Sequence, residues 1–410
     1  MLLLSKTKGV GGVIKGAPED FIVEEITKAG TTLRVDKRYT SQEAGMASSD
    51  SGRFAVFVMQ KRNWNTAQAA KTVANMCGRG MRSVGFAGTK DRTSVSTQLC
   101  SLFGADLGRL LSMHIKDVSI NGAWSSDNGI ELGDLLGNSF TVSVRKSSAD
   151  KGAIGGILKE LGGVFPNYFG EQRFGFRGNN AEMGLAIIRG DFEEAVMSFL
   201  TDITNEADSA SIEARRMLAS EMDFGRALGY FPRHLKYERV LLEYLSRFPD
   251  NYANALRRLP RQLTLMFVHS VESWLFNRIV EKRVGLVEKG PLAGDLFCWP
   301  DSYGFPDLSR IGRAGADTVP EGGFTVGRII GYDTKDLSVD EAGLLEELGI
   351  AAESFKIKGM PELNCRGAYR VIFAPYVDFS CQVEGDCAVM SFSLPAGSYA
   401  TVFLNEFLHE

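Results

Sequence analysis

The chain is poor in the residues that metal sites and nucleophilic triads draw on. Of its 410 residues only four are histidine, at 114, 234, 269 and 409. Six are cysteine, at 77, 100, 298, 365, 381 and 387, with no Cys-x-x-Cys pair. That spacing offers neither a zinc site nor a disulfide framework, and the shortage of histidine argues against Ser/His or Cys/His catalysis. Cys381 and Cys387 are close enough in sequence to meet across a turn, but in a chain with no secretory segment reduced thiols are expected. No Gly-x-x-x-x-Gly-Lys-Ser/Thr loop occurs, and the glycines at 78, 80 and 85 lack dinucleotide-binding spacing. No metal and no cofactor are therefore expected. Long apolar runs are missing too, and Met1-Leu2-Leu3-Leu4 is too short for a signal-peptide core. The expectation is a cytoplasmic protein with no membrane partner.

What is present suits a folded chain of two domains: 44% of residues are hydrophobic and 23% charged. The net charge of −4 argues against an unselective nucleic-acid coat, because nonspecific affinity comes from neutralising phosphates with Lys and Arg. Local distribution matters more than the total. Arg79, Arg82, Lys90 and Arg92 gather around a single acid, Asp91, and a second basic cluster is Arg257, Arg258 and Arg261. The second cluster reads equally as solvated surface or as phosphate contacts.

The first 175 residues alternate strand-like and helix-like patterns. Strands are expected at Phe21 to Ile26, Phe54 to Met59, Ser83 to Ala87, Val95 to Phe103 and Phe140 to Arg145. Between them a helix is expected after Asn65, with Gln68 completing a capping box and Ala67, Ala70, Val73, Ala74 and Cys77 on one face. From Asn180 the pattern turns helical, through Ala181 to Ile188, Phe192 to Leu200, Tyr237 to Phe248 and Gln262 to Val284. A Gly-rich region from Pro291 to Arg370 follows. Strand patterns return at Tyr369 to Phe373 and Ala388 to Leu394, and Gly397 to Leu408 reads as a closing helix. This order predicts an α+β domain with a mixed, mainly antiparallel sheet, interrupted by a more helical α+β domain. The expected boundaries are 1–179 and 369–410 for the first domain and 180–368 for the insertion. No heptad or exposed apolar helix face appears, so a monomer is expected.

Three segments carry chemistry. In Ser83-Val84-Gly85-Phe86-Ala87-Gly88-Thr89-Lys90-Asp91-Arg92 an apolar strand runs into a charged turn, where a rigid scaffold can present a catalytic group. Taken locally, an aspartate after Gly-Thr-Lys reads first as a residue that stabilises the turn by bonding nearby backbone N–H groups. Pro166-Asn167-Tyr168-Phe169-Gly170-Glu171-Gln172-Arg173-Phe174-Gly175 combines aromatic faces for base stacking with amides that read base edges. It also reads as an aromatic core corner with a buried arginine. Leu394-Pro395-Ala396-Gly397-Ser398-Tyr399-Ala400-Thr401 opens the last helix, where free N–H groups hold a phosphate or Ser398 merely caps.

Together with Lys15-Gly16-Ala17-Pro18-Glu19-Asp20-Phe21-Ile22-Val23-Glu24-Glu25, these segments resemble, in order and over nearly the whole chain, the motifs of the TruD family of tRNA pseudouridine synthases. The resemblance implies a pseudouridine-synthase catalytic domain carrying a family-specific insertion, the TRUD domain. It implies an isomerase that turns uridine into pseudouridine at position 13, in the D arm of tRNA, by way of a flipped-out base. It makes Asp91 the catalytic aspartate and Phe169 the platform for the target uracil. Asn167 would hold the Asp91 loop or the nucleotide, and Lys15, Phe21 and Tyr399 would line the pocket. Tyr399 stands where many relatives have Phe, and Asn405 where many have Arg. An aspartate with an ordinary pKa of about 3.9 is ionised at neutral pH; Lys15, Lys90 and Arg173 are candidates for the cation that keeps it so in a closed pocket. A non-catalytic RNA-binding protein and a small-molecule lyase are the competing readings.

Overall fold

The computed structural model describes residues 1–286, 289–315 and 321–409, so residues 316–320 of the expected Gly-rich region lie outside the described residues. The strands in chain order are β1 (Phe21–Thr27), β2 (Phe54–Arg62), β3 (Val84–Phe86), β4 (Val95–Phe103), β5 (Val118–Ser126), β6 (Leu135–Arg145) and β7 (Val164–Pro166). After the helical region come β8 (Leu296–Pro300), β9 (Pro306–Arg313), β10 (Phe324–Ile329), β11 (Ala368–Val371), β12 (Phe373–Pro375), β13 (Val377–Glu384) and β14 (Cys387–Pro395). The large sheet runs β13-β14-β6-β1-β4-β2-β5, with β3 also on β4. Its one parallel pair is β1 with β4, so the sheet is mixed and mainly antiparallel. A four-stranded sheet, β11-β10-β8-β9, belongs to the second half of the chain.

Register decides what the central face carries, because side chains alternate along a strand and directly opposed residues share a face. Phe21, Val23 and Glu25 of β1 oppose Val142, Phe140 and Asn138 of β6. Those oppose Met390, Phe392 and Leu394 of β14. An aromatic series crosses this face and reaches the closing helix Ala400–Leu408: Phe140 lies 6.0 Å from Phe21 and 5.4 Å from Phe392, and Phe392 lies 4.6 Å from Phe403. On β4 the same face shows Ser96, Gln98 and Cys100, and the helix Thr66–Met76 covers its far end with Ala69, Ala70, Val73 and Ala74 buried. Between the two apolar clusters the sheet centre is polar, with Glu25, Lys61, Ser96 and Gln98 all fully buried.

Seven helices lie between Asn180 and Gly285. They share one continuous core with the aromatic face of the large sheet. Three local expectations change. Asn65 caps its helix by accepting from the Ala67 N–H, but no return bond from Gln68 forms. Ala69 rather than Ala67 is buried on that helix. The strand that spans the expected return point at 369 is β11, and it pairs with β10 of the small sheet; the chain rejoins strands of its first half only after Val371, where β12 pairs with β7. All six cysteines are free thiols, and no described helix is long and apolar enough to cross a membrane.

Candidate active site

Asp91 sits at a break in the sheet. β1 pairs with Val95 to Thr97 of β4 and β3 pairs with Cys100 to Leu102, leaving the stretch between without a strand on that edge. A backbone N–H left unpaired in a buried sheet is costly, and here side chains fill the gap. The Leu99 N–H donates to Glu25 Oε1 at 2.8 Å, and Glu25 Oε2 receives the Lys90 Nζ at 2.7 Å. Gln98 Nε2 donates to the Gly88 carbonyl at 2.9 Å, and the Lys90 N–H donates to Thr66 Oγ1 at 2.9 Å. The Gly88–Asp91 loop is thus held at several points by buried polar groups rooted in the sheet and in the first turn of a helix.

Asp91 is held at its carbonyl as well as at its carboxylate. Lys61 Nζ and Ser94 Oγ donate to the Asp91 carbonyl at 2.8 and 2.7 Å. Lys15 Nζ donates to Asp91 Oδ2 at 2.5 Å and lies 4.4 Å from the centroid of the Phe21 ring. Lys15 adopts φ +61°, a left-handed conformation that non-glycine residues seldom take and that the surrounding structure must enforce. Asp91 Oδ1 accepts no hydrogen bond among the described residues, and the side chain keeps 40% of its surface open. Of the three candidate cations, then, Lys15 is the one at Asp91. Lys90 turns away to Glu25, and Arg173 lies elsewhere. Burial lowers Lys61 from 10.5 to about 8; the Asp91 charge opposes that shift and Lys90 reinforces it.

The Phe169 segment builds a second cluster. Asn167 does not bond to the Asp91 loop among the described residues. Its Nδ2 donates to the Val371 carbonyl at 2.9 Å, and its Oδ1 accepts from Arg370 Nη2 at 2.6 Å and Ser398 Oγ at 3.1 Å. Arg370 also donates to the Asn167 carbonyl at 3.1 Å and the Gly397 carbonyl at 2.8 Å, and burial lowers its pKa to about 10. Its guanidinium stands 4.4 Å from the centroid of the Phe169 ring, with Arg173 at 5.4 Å. Phe276 and Tyr399 contact Phe169 edge-on, at 5.6 and 6.3 Å. A Cβ at position 170 would stand 3.3 Å from the Tyr399 ring, so Gly170 permits this approach. Phe169 is only 7% exposed, and of the two arginines beside it Arg173 is the less buried.

No hydrogen bond, ion pair or ring contact joins the two clusters among the described residues. They share a face and a scaffold. Glu25, which anchors Lys90, opposes Asn138, which opposes Leu394, and the Ala396 N–H donates to the Leu136 carbonyl at 2.9 Å just before Tyr399.

A cavity of about 340 Å³ opens beside Phe169 and Arg173, lined also by His269, Glu272, Cys365 and Arg366. Burial raises Glu272 to about 8 against the pull of Arg173. The cluster Arg257, Arg258 and Arg261 is committed within the chain. Arg257 pairs with Glu362 at 2.7 Å, Arg261 donates to the Glu362 carbonyl at 2.7 Å, and Arg258 lies over Tyr244.

Lys61, Glu25 and Arg370 escape sequence reasoning, since each looks like an ordinary charge in a strand and acquires its role only from tertiary partners. The repeated acid in Glu24-Glu25 was the one available sign, because an alternating strand cannot place both on one face.

The fold and site define an α+β protein that presents a lysine-held aspartate on a loop of its central sheet and a guanidinium-backed aromatic cluster on the same scaffold. Residues 1–407 match the family model "tRNA pseudouridine synthase D (TruD)". A protein of Methanococcoides burtonii described as a probable tRNA pseudouridine synthase D is 32% identical over 435 aligned positions, covering 99% of this chain and 95% of that protein. One from Methanopyrus kandleri, described in the same words, is 35% identical over 364 positions, covering 87% and 86%. The crystal structure of the putative tRNA pseudouridine synthase D of Methanosarcina mazei is similar over 100% of this chain and 96% of that one, at 30% identity and a TM-score of 0.77. The chain belongs to the TruD family.

Proposed function

We propose that this protein isomerises uridine to pseudouridine in tRNA, at position 13 of the D arm, with Asp91 as the catalytic carboxylate. One observation carries the reading: Asp91 has one oxygen on Lys15 and the other open, on a loop fixed from beneath by Lys61, Ser94, Lys90 and Glu25. The reaction breaks the N1–C1′ bond and forms a C5–C1′ bond, with the C5 proton lost and N1 protonated. The free oxygen either attacks C1′ or takes a proton from C2′, and either route needs a charged, positioned carboxylate. Lys15 pairs with Oδ2 without occupying Oδ1.

The target base leaves its stack at a cost of a few kcal/mol, and an aromatic platform returns roughly 1–3 kcal/mol. Phe169 with Tyr399 supplies the platform once Arg173 swings from the ring toward the phosphates. Asn167 and Arg370 position this platform. Residues 1–179 and the segment after Val371 form the catalytic domain, and the helical insertion forms the other wall of the RNA cleft. The protein acts as a monomer, in the cytoplasm.

Incubation with unmodified tRNA transcripts, followed by carbodiimide-dependent primer extension, tests this reading. A new stop at the D-arm uridine is expected. Tight tRNA binding without any stop would favour a non-catalytic RNA-binding protein.

A further inference from the structure

His269, Glu272 and Cys365 come together on one wall of the cavity beside Phe169, although nearly a hundred residues separate the cysteine from the other two. His269 and Glu272 lie three residues apart on the helix Arg261–Gly285 and so share a face. Cys365 arrives on the loop before β11, five residues ahead of Arg370. One ligand atom from each, a ring nitrogen, a carboxylate oxygen and a sulfur, lies within 4.8 Å of the other two.

Glu272 makes the cluster more than a coincidence of side chains. It is only 6% exposed and it lines the cavity, yet it has no ion pair among the described residues. The Cys365 thiol, itself 6% exposed, lies within 4.8 Å of the Glu272 carboxyl group and donates to the Leu363 carbonyl at 3.5 Å. Arg173 faces the same space but stands beyond ion-pair distance. Buried without a countercharge, a carboxyl group is favoured as the neutral acid, and a bound cation is what would let it ionise.

We propose that His269, Glu272 and Cys365 form a binding site for a divalent transition metal of the zinc type. Nitrogen, sulfur and oxygen together suit a borderline-soft ion, and a thiolate with a carboxylate would neutralise its two charges. Bonds of about 2.0–2.3 Å place tetrahedral ligands roughly 3.3–3.8 Å apart, so side-chain rotations of about 1 Å close the site. The fourth position faces the cavity. Arg173 and Arg261 oppose the incoming charge, which makes the site weaker than a four-ligand structural one. An ion there clamps the long helix to the loop that leads to Arg370, and so steadies the guanidinium behind Phe169.

The test is titration of the reduced, full-length protein with Co²⁺ and then Zn²⁺. One equivalent of Co²⁺ should give a thiolate-to-cobalt charge-transfer band with tetrahedral visible bands, and Zn²⁺ should displace it. Cys365→Ser should abolish the charge-transfer band, while serine at Cys77, Cys381 or Cys387 leaves it. Glu272→Gln, which keeps shape, and His269→Gln should each weaken Zn²⁺ binding at least about tenfold, with circular dichroism confirming that the variants fold. The proposal falls if wild type shows no thiolate band at saturating Co²⁺, if the band survives Cys365→Ser, or if a folded Glu272→Gln binds Zn²⁺ as wild type does.

Discussion

Replacing Lys61 with methionine separates two effects that the structure places on one side chain. Lys61 is fully buried, and its ammonium donates to the Asp91 carbonyl at 2.8 Å. Moving a lysine from 10.5 to about 8 corresponds to about 3 kcal/mol of unfavourable burial of the charged form. A hydrogen bond from a charged group contributes about 1.5–3 kcal/mol in the other direction, and the Ser94 hydroxyl remains to hold the carbonyl. At pH 7.5 Lys61→Met should therefore lie within about 2 kcal/mol of wild type. The pH dependence is the sharper result. The folded-state pKa lies below the unfolded one, so between about 8 and 10.5 the unfolded chain binds the extra proton and stability rises with pH. The burial penalty is complete below pH 8 and gone above 10.5. Urea unfolding of both proteins from pH 7.5 to 10.5 should show wild type gaining about 3 kcal/mol relative to Lys61→Met, while other titrations cancel in the difference. A difference that stays flat across that range would refute the account of Lys61.

Arg370→Met removes one of the two donors to Asn167 Oδ1 and the side-chain donor to the Asn167 and Gly397 carbonyls, and should cost about 3 kcal/mol in urea unfolding; a loss below 1 kcal/mol would mean the network is dispensable. Arg257→Ala with Arg261→Ala should lower stability by about 1–2 kcal/mol and leave the salt dependence of tRNA binding unchanged, because Glu362 holds both; a slope shallower by about two would return them to the phosphates. Lys15→Met should reduce turnover about a hundredfold while tRNA affinity changes little, and a variant within threefold of wild type would remove Lys15 from the account.

Periodicity made the frame legible. β1, β2, β4 and β14 follow strand-like runs, and the long helix Arg261–Gly285 follows from its sustained pattern. β5 was missed because Val118–Ser126 carries Asn121, Gly122 and three serines, and it forms only by pairing with β2. The Asp91 motif was visible as a motif, but its supports were not: Lys61 is buried because Asp91 returns to it from another loop, and Glu25 because the ladder of β4 breaks beside it. Asn167 was visible as a polar residue among aromatics, whereas its partners Val371, Arg370 and Ser398 come from about two hundred residues away. Likewise the Arg257 cluster looked free because Glu362 is distant in sequence, and Cys365 reaches His269 and Glu272 only through packing.

The central claim is that Asp91 performs the chemistry on a bound uridine. Its most direct test is single-turnover release of tritium from C5-labelled uridine in a tRNA transcript by Asp91→Asn, with tRNA affinity measured on the same preparation. No release above background with affinity close to wild type is the predicted result. Release at a rate near that of wild type would contradict it.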